Sequence, residues 1–234
     1  MPDILLERAG GRADIILNRP DRKNAITGPL AIELAAAIGE AAADDSVNVI
    51  VLQGAGGAFC SGLDLKEFRA DPSPEWLGSF SELWKAVHLA LFRCPKPVIG
   101  ALERYAINGG SSLALACDLL VAGESAFLQV GEIQMNTAAP MNMAWLAIRH
   151  SEAVTARLTL IGDRVPGPEL LRLGVATDVV ADDEVLERAG ALADTIAGYG
   201  AGAAPMIKRG FRRLAPGPNA EAWFDRGDAP PRRL

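Results

Sequence analysis

Short apolar runs alternate along this chain with longer stretches of helical spacing, and that alternation points to a single α/β domain. Ile4 to Arg8 and Ala13 to Leu17 flank the turn signal Gly10-Gly11 and read as a hairpin. After a turn-rich stretch, Thr27 is placed to cap a helix with Pro29 in its first turn, and an Ala-rich segment carries that helix to about Asp44. Val49 to Leu52, Val98 to Leu102, Leu119 to Ala122 and Phe127 to Val130 read as further strands; from Ala139 onward the pattern is mainly helical. Ser73-Pro74 is expected to open a helix in which Trp76, Phe80, Leu83, Val87 and Leu91 recur at helical spacing, ending before Pro95 and Pro97. Those aromatics read as core. With 234 residues, half of them apolar, one sizeable core can be buried.

The balance of charge narrows what such a domain can bind. A formal charge of −6 argues against sequence-independent binding of nucleic acid, which needs a basic surface to displace counterions from phosphates. Cys60, Cys94 and Cys117 stand in no CxxC spacing and only two histidines are present, so neither a disulfide framework nor a metal site is expected. No charged-then-apolar leader and no run of about 18 apolar residues are seen, so a cytoplasmic protein without a membrane span is expected.

Two loops after strands can carry chemistry. The first, Gly54-Ala55-Gly56-Gly57-Ala58-Phe59-Cys60-Ser61-Gly62-Leu63-Asp64, fails as a dinucleotide fingerprint because Phe59 stands where a third glycine is needed. No GK[ST] exists for a phosphate loop either. A tight surface turn and a ligand-approaching loop both remain open for it. The second, Tyr105-Ala106-Ile107-Asn108-Gly109-Gly110-Ser111-Ser112, places its glycines at a helix N-terminus. Free N–H groups and the positive end of the helix dipole can there stabilise an oxygen that gains negative charge. Close packing at a turn is the competing use of Gly-Gly.

Several ordered segments resemble the crotonase superfamily, the enoyl-CoA hydratase/isomerase type. They are Asn18-Arg19-Pro20-x-x-x-Asn24-Ala25, Ala58-Phe59-Cys60-Ser61-Gly62-Leu63-Asp64-Leu65-Lys66-Glu67 and Lys96-Pro97-Val98-Ile99-Gly100-Ala101. Tyr105 to Gly110, Leu113 to Asp118, Gly131-Glu132-Ile133 and Gly162-Asp163-Arg164 continue the match, which covers roughly residues 3 to 215. The resemblance implies a spiral of repeated ββα units over residues 1–195, followed by C-terminal helices over 196–234 that mediate assembly and cover the site. It implies a homotrimer or a hexamer of two trimers, an acyl-CoA substrate, and no cofactor beyond the coenzyme A of that substrate.

Roles follow from the same resemblance, position by position. The N–H groups of Leu63 and Gly109 would hold the thioester oxygen, and one such donor is typically worth about 3–4 kcal/mol in the transition state. The stretches holding Lys23, Ala25 and Ile26, and Ser61, Asp64 and Leu65, are similar to those that contact adenine and pantetheine. Lys23 and Lys66 would face phosphates, and Ser112 and Pro140 would belong to the acyl site. The family's hydratases place two glutamates around the bound enoyl group; here those positions are Ser112 and Glu132. Glu132 lies between apolar neighbours, where desolvation raises a carboxyl pKa toward the range useful for proton transfer.

The resemblance implies isomerisation and/or hydration of an enoyl-CoA; a hydroxyl at Ser112 is too weakly acidic or basic to replace a carboxylate in activating water, so double-bond isomerisation, which needs one carboxylate, is the simplest activity. Asn136-Thr137-Ala138-Ala139-Pro140-Met141-Asn142-Met143-Ala144-Trp145 stands where a hydratase has Pro-Gly-x-Gly-Gly-Thr, and its Ala-Pro followed by bulky apolar residues resembles isomerases more. Met135, Met141 and Met143 are candidates to line the acyl pocket. A hydratase or lyase acting on aryl- or functionalised acyl-CoA is the runner-up. Thioester hydrolysis through Ser111 or Ser112 with His88 or His150 as base, and a non-catalytic acyl-CoA binder, are the other readings. Glu103 and Arg104 are expected to form a local ion pair, and the tail after Leu214 reads as a shortened lid.

Overall fold

A computed structural model describes residues 1–213 and Phe224. Strands β1 (Ile4–Ala9) and β2 (Arg12–Leu17) form the expected antiparallel hairpin, with Gly10 and Gly11 at φ of 60° and 87° making its two-residue turn. Thr27 Oγ1 accepts from the Leu30 N–H and caps α1 (Gly28–Ala43). There follow β3 (Val49–Gly54), α2 (Leu65–Phe68), α3 (Phe80–Arg93), β4 (Val98–Leu102), β5 (Tyr105–Ile107) and α4 (Gly109–Ala116). The chain continues through β6 (Leu119–Gly123), β7 (Phe127–Gln129), α5 (Pro140–Arg149), α6 (Glu152–Ile161), β8 (Val165–Pro166), α7 (Gly167–Arg172), β9 (Asp178–Val180), α8 (Val185–Gly198) and α9 (Ala203–Arg213).

Among the described residues, one sheet has the order β1-β2-β3-β4-β6-β9, parallel except for β1, and a smaller one the order β5-β7-β8. The segments β4-β5-α4 and β6-β7-α5 each give one strand to each sheet before turning into a helix. This is the ββα spiral that the resemblance implies. The loop after β3 joins the smaller layer through a parallel bridge between Cys60 and Ala106. Strands β3 and β4 are covered on both faces. Ile50, Leu52, Val98 and Leu102 face the main core with α1 and α3, whereas Val49, Val51, Ile99 and Ala101 face Val185, Ala189 and Ala193 of α8. Double coverage is why these strands read as unbroken apolar runs rather than alternating ones.

The helix expected from Ser73 begins instead at Phe80. Before it, a 3-10 turn at Leu77–Ser79 folds Trp76 back so that Phe68 meets Trp76 and Phe80 edge-on, with ring centroids 5.0 and 4.6 Å away. The aromatic spacing therefore reflects a clustered turn upstream and a helix downstream. Strands β5, β8 and β9, of two or three residues, are too short to declare themselves by periodicity. Glu103 and Arg104 form no ion pair with each other among the described residues; Arg104 instead takes a positive φ of 55° where β4 bends into β5, its carbonyl accepting from the Phe127 N–H. The expected shortened lid after Leu214 lies outside the described residues, Phe224 excepted.

Candidate active site

The two glycine-rich loops lie in backbone contact. A Cβ on Gly110 would stand 2.4 Å from the Cys60 carbonyl oxygen, and one on Gly62, whose φ is +88°, would stand 2.8 Å from that of Ile107. Only glycine fits at either place. Gly110 thus serves packing, the competing use of Gly-Gly, while the N–H of Gly109 stands at the open end of α4.

Hydrogen bonding on the far side of each peptide plane aims the two donors. The Gly62 carbonyl accepts from the Ile26 N–H at 2.8 Å, so in the planar trans peptide the Leu63 N–H faces the opposite way. The Asn108 carbonyl accepts from the Ser112 N–H and from Asn142 Nδ2, both at 3.1 Å, which turns the Gly109 N–H outward from the helix. Asn108 itself has a φ of 52° and a ψ of −109°, an unfavourable conformation for a residue with a side chain. It is held there by its N–H on the Gln129 carbonyl and by the Gly131 N–H on its Oδ1. Among the described residues neither the Leu63 nor the Gly109 N–H meets an acceptor. Leu63 and Gly109 line one cavity of about 380 Å³.

Glu132 enters the same cavity from a 3-10 turn after β7. Its Oε1 accepts from Asn142 Nδ2 at 3.0 Å, and its Oε2 is buried with no donor among the described residues. Burial pushes the carboxyl up to about 7, against the lowering effect of its hydrogen bonds. Phe80, Trp84, Met135, Pro140 and Met141 supply much of the apolar wall.

Ser112, on the same wall, is fully committed. Trp145 Nε1–H donates to His88 Nδ1 at 2.9 Å, so the neutral ring carries its proton on Nε2. That N–H points at Ser112 Oγ, 3.2 Å away, and the hydroxyl in turn donates to the Gly109 carbonyl at 2.7 Å. Burial holds the His88 pKa down near 3, so the ring is neutral at physiological pH. A histidine that donates to a serine cannot act as its base. Ser111 likewise spends its hydroxyl on the carbonyls of Ala106 and Gln129. Neither serine has the geometry of an activated nucleophile.

The other expected binding residues divide into four groups. Ser61, Leu65 and Pro140 line the cavity with Leu63 and Ser112. Lys23 and Ala25 line a shallower depression with Arg22, which Leu63 and Leu65 share with the main cavity, and Lys66 is exposed nearby. Ile26 is fully buried and touches the site only through its pairing with Leu63. Asp64 is not a free ligand group: it ion-pairs with Arg19 at 3.2 Å and Arg22 at 2.8 Å and accepts from the Glu67 N–H. Its role is to tie the first loop to the turn before α1. Met143 is turned to solvent while Met135 and Met141 reach the cavity. Asn142 was not anticipated; a lone amide among apolar residues at the start of α5 was the available signal.

Among the described residues no three His, Cys, Asp or Glu side chains cluster as metal ligands, and no helix is long and apolar enough to cross a membrane. Fold and site together define a spiral α/β protein whose apolar cavity joins two outward-facing backbone N–H groups to one buried carboxyl. The family model described as enoyl-CoA hydratase/isomerase matches residues 7–223, and the chain belongs to that family, within the crotonase superfamily. It is 35% identical over 212 residues to a probable enoyl-CoA hydratase of Rhizobium meliloti, spanning 90% of this chain and 81% of the relative. It is 32% identical to an enoyl-CoA hydratase of Mycobacterium tuberculosis over 95% of this chain and 85% of the other. The crystal structure of an enoyl-CoA hydratase/isomerase from Xanthobacter autotrophicus superposes with a TM-score of 0.82 at 32% identity, covering 91% of this chain and 79% of that one.

Proposed function

We propose that this enzyme moves protons at the acyl chain of an enoyl-CoA, with Glu132 as the acid/base and the N–H groups of Leu63 and Gly109 as the oxyanion hole. The observation that carries the reading is a carboxyl pushed up to about 7 in the same apolar cavity as two N–H groups without acceptors. A 3-enoyl-CoA would place its thioester oxygen between the two amides. Glu132 takes a proton from C2, the dienolate charge spreads onto the held oxygen, and Glu132 returns the proton at C4 to give the conjugated 2-enoyl-CoA. A carboxyl titrating near neutrality suits both transfers, since it is neither too weak a base nor too weak an acid. The apolar wall suits the acyl chain, and Lys23 in the adjoining depression and the exposed Lys66 suit the phosphates of coenzyme A.

Thioester hydrolysis is disfavoured by the direction of the His88–Ser112 hydrogen bond. Assembly as a trimer or hexamer of cytoplasmic subunits belongs to the same proposal, supported by exposed Leu160, Ile161, Met206, Ile207 and Phe211 on α6 and α9. The test is conversion of 3-enoyl- to 2-enoyl-CoA, followed by thioester conjugation absorbance, for wild type and Glu132→Gln. Equal rates in the two would end the proposal; a monomer by light scattering would end its assembly part.

A further inference from the structure

The carboxyl of Glu132 and the N–H of Gly109 come from separate stretches of chain, one from the turn after β7 and the other from the start of α4, yet two asparagines join them. Asn142 is 1% exposed, and its orientation is settled by chemistry. Asn108 contributes a carbonyl, which only accepts, so the atom of Asn142 that lies 3.1 Å from it is Nδ2. The same Nδ2 donates its other hydrogen to Glu132 Oε1 at 3.0 Å. Asn108 adds a second link, because its Oδ1 accepts at 2.9 Å from the N–H of Gly131, the residue before Glu132. Gln129 and Gln134, flanking that turn, both donate through Nε2 to the Gly162 carbonyl, at 3.0 and 2.7 Å. The backbone under Glu132 is thus braced independently of Asn142, whereas the carboxyl itself and the Asn108–Gly109 peptide share one amide nitrogen.

We propose that Asn142 is a positioning residue that couples the base to the oxyanion hole: one Nδ2 hydrogen orients the Glu132 carboxylate, and the other holds and polarises the peptide whose N–H receives the thioester oxygen. The inference rests on the roles given to Glu132 and Gly109. A carbonyl that accepts hydrogen bonds polarises its own peptide unit and makes the N–H across it a stronger donor. Asn108 needs that support, since its φ of 52° with ψ of −109° is an unfavourable backbone state, held in part by the bond from Asn142. On the other side, a donor to a carboxylate favours its charged form. Asn142 works in that direction against the burial that raises Glu132. Proton abstraction moves negative charge from Glu132 to the held oxygen, and Asn142 touches the protein group at each end of that transfer. Among the described residues Glu132 is the one titratable side chain lining the cavity, so the pH dependence of the rate reports on this contact.

The test takes two readouts from Asn142→Leu, which keeps the volume and removes the donor. The first is the pH profile of kcat for isomerisation of 3-enoyl-CoA. Its inflection is expected to move up by about one pH unit, the worth of one hydrogen bond to a charged group, and its plateau to fall about tenfold with KM within a few-fold. The second is the ¹³C shift of a saturated acyl-CoA labelled at the thioester carbonyl, which reads the hole with no proton transfer. Wild type is expected to move that resonance downfield of free acyl-CoA, and Asn142→Leu to bring it back toward the free value. Asn142→Asp, of the same size and without a donor when ionised, is expected to give both changes should the leucine variant not fold. A folded variant that loses rate while either the inflection or the carbonyl shift stays at the wild-type value overturns the coupling and leaves Glu132 in its role. Glu132→Gln is expected to keep the carbonyl shift while losing the rate; a wild-type rate in that variant overturns the parent reading instead.

Discussion

Two buried polar clusters meet the N-terminal turn of α4, one at the Gly109 carbonyl and one at the Asn108 carbonyl, and they are built on opposite terms. In the run from Trp145 through His88 and Ser112 to the Gly109 carbonyl each side-chain donor has an acceptor, and each link fixes the direction of the next. In Glu132–Asn142 a single donor serves two acceptors, and two further oxygens are buried without donors among the described residues. A satisfied network rigidifies; an unsatisfied one stores a demand that substrate or water can meet. The comparison separates Ser112, whose hydroxyl is spent on the backbone of the loop, from Glu132, whose carboxyl keeps an oxygen without a donor among the described residues, although both line the same cavity.

Glu132→Gln breaks the contrast most severely. Isomerisation is expected to fall by roughly 10² to 10⁴, the usual loss on removing a general acid/base. The same variant should be more stable than wild type above neutral pH. A carboxyl raised to about 7 in the folded chain binds its proton more tightly there than in the unfolded chain, so its contribution to stability declines as pH rises from about 4.5 through 7. Removing the charge is worth on the order of 2 kcal/mol at pH 8 and little at pH 5, readable by denaturant unfolding at the two pH values. Wild-type isomerisation should rise with pH through about 7 and level off as Glu132 ionises.

His88→Phe attacks the satisfied cluster. It strips the acceptor from the buried Trp145 N–H and the donor from Ser112, and is expected to cost on the order of 3 kcal/mol of stability in a denaturant melt. The inflection of the rate near pH 7 should stay in place, since Glu132 is untouched. Wild type should also lose stability as pH falls from about 6.5 toward 3, because the unfolded chain can protonate His88 while the buried ring resists it; His88→Phe loses that part of the slope. Ser112→Ala is the mildest change. It leaves the His88 N–H unmet at a cost of about 1–2 kcal/mol, with isomerisation expected within a few-fold of wild type. A large loss of rate there, with stability intact, would show that Ser112 belongs with Glu132 after all.

Much of the frame could be read from residues that act locally. Thr27 caps its helix through a bond three residues away, the Gly10-Gly11 turn carries its own dihedral signature, and doubly covered β3 and β4 announce themselves as apolar runs. The resemblance brought the Leu63 and Gly109 loops and Glu132 to one place on the strength of motif spacing. What escaped depends on pairs far apart in sequence. His88 and Trp145 are 57 residues apart, so no spacing could reveal that Ser112 is held by a neutral histidine. Asn142 lies ten residues beyond Glu132 across a turn, and its bridging amide appears only once α5 packs against the loop before α4. Asp64 was placed among the ligand contacts because its motif is there, but Arg19 and Arg22 reach it across more than 40 residues and take up its carboxylate.

The central claim is that Glu132 is the group that carries protons between the acyl chain and solvent. Incubating 2-enoyl- and 3-enoyl-CoA in D₂O and following C2 and C4 by proton NMR measures that traffic directly. Wild type is predicted to place deuterium at both carbons and Glu132→Gln at neither, with the acyl-CoA still bound; deuterium appearing at C2 or C4 in the variant at the wild-type rate would contradict the account.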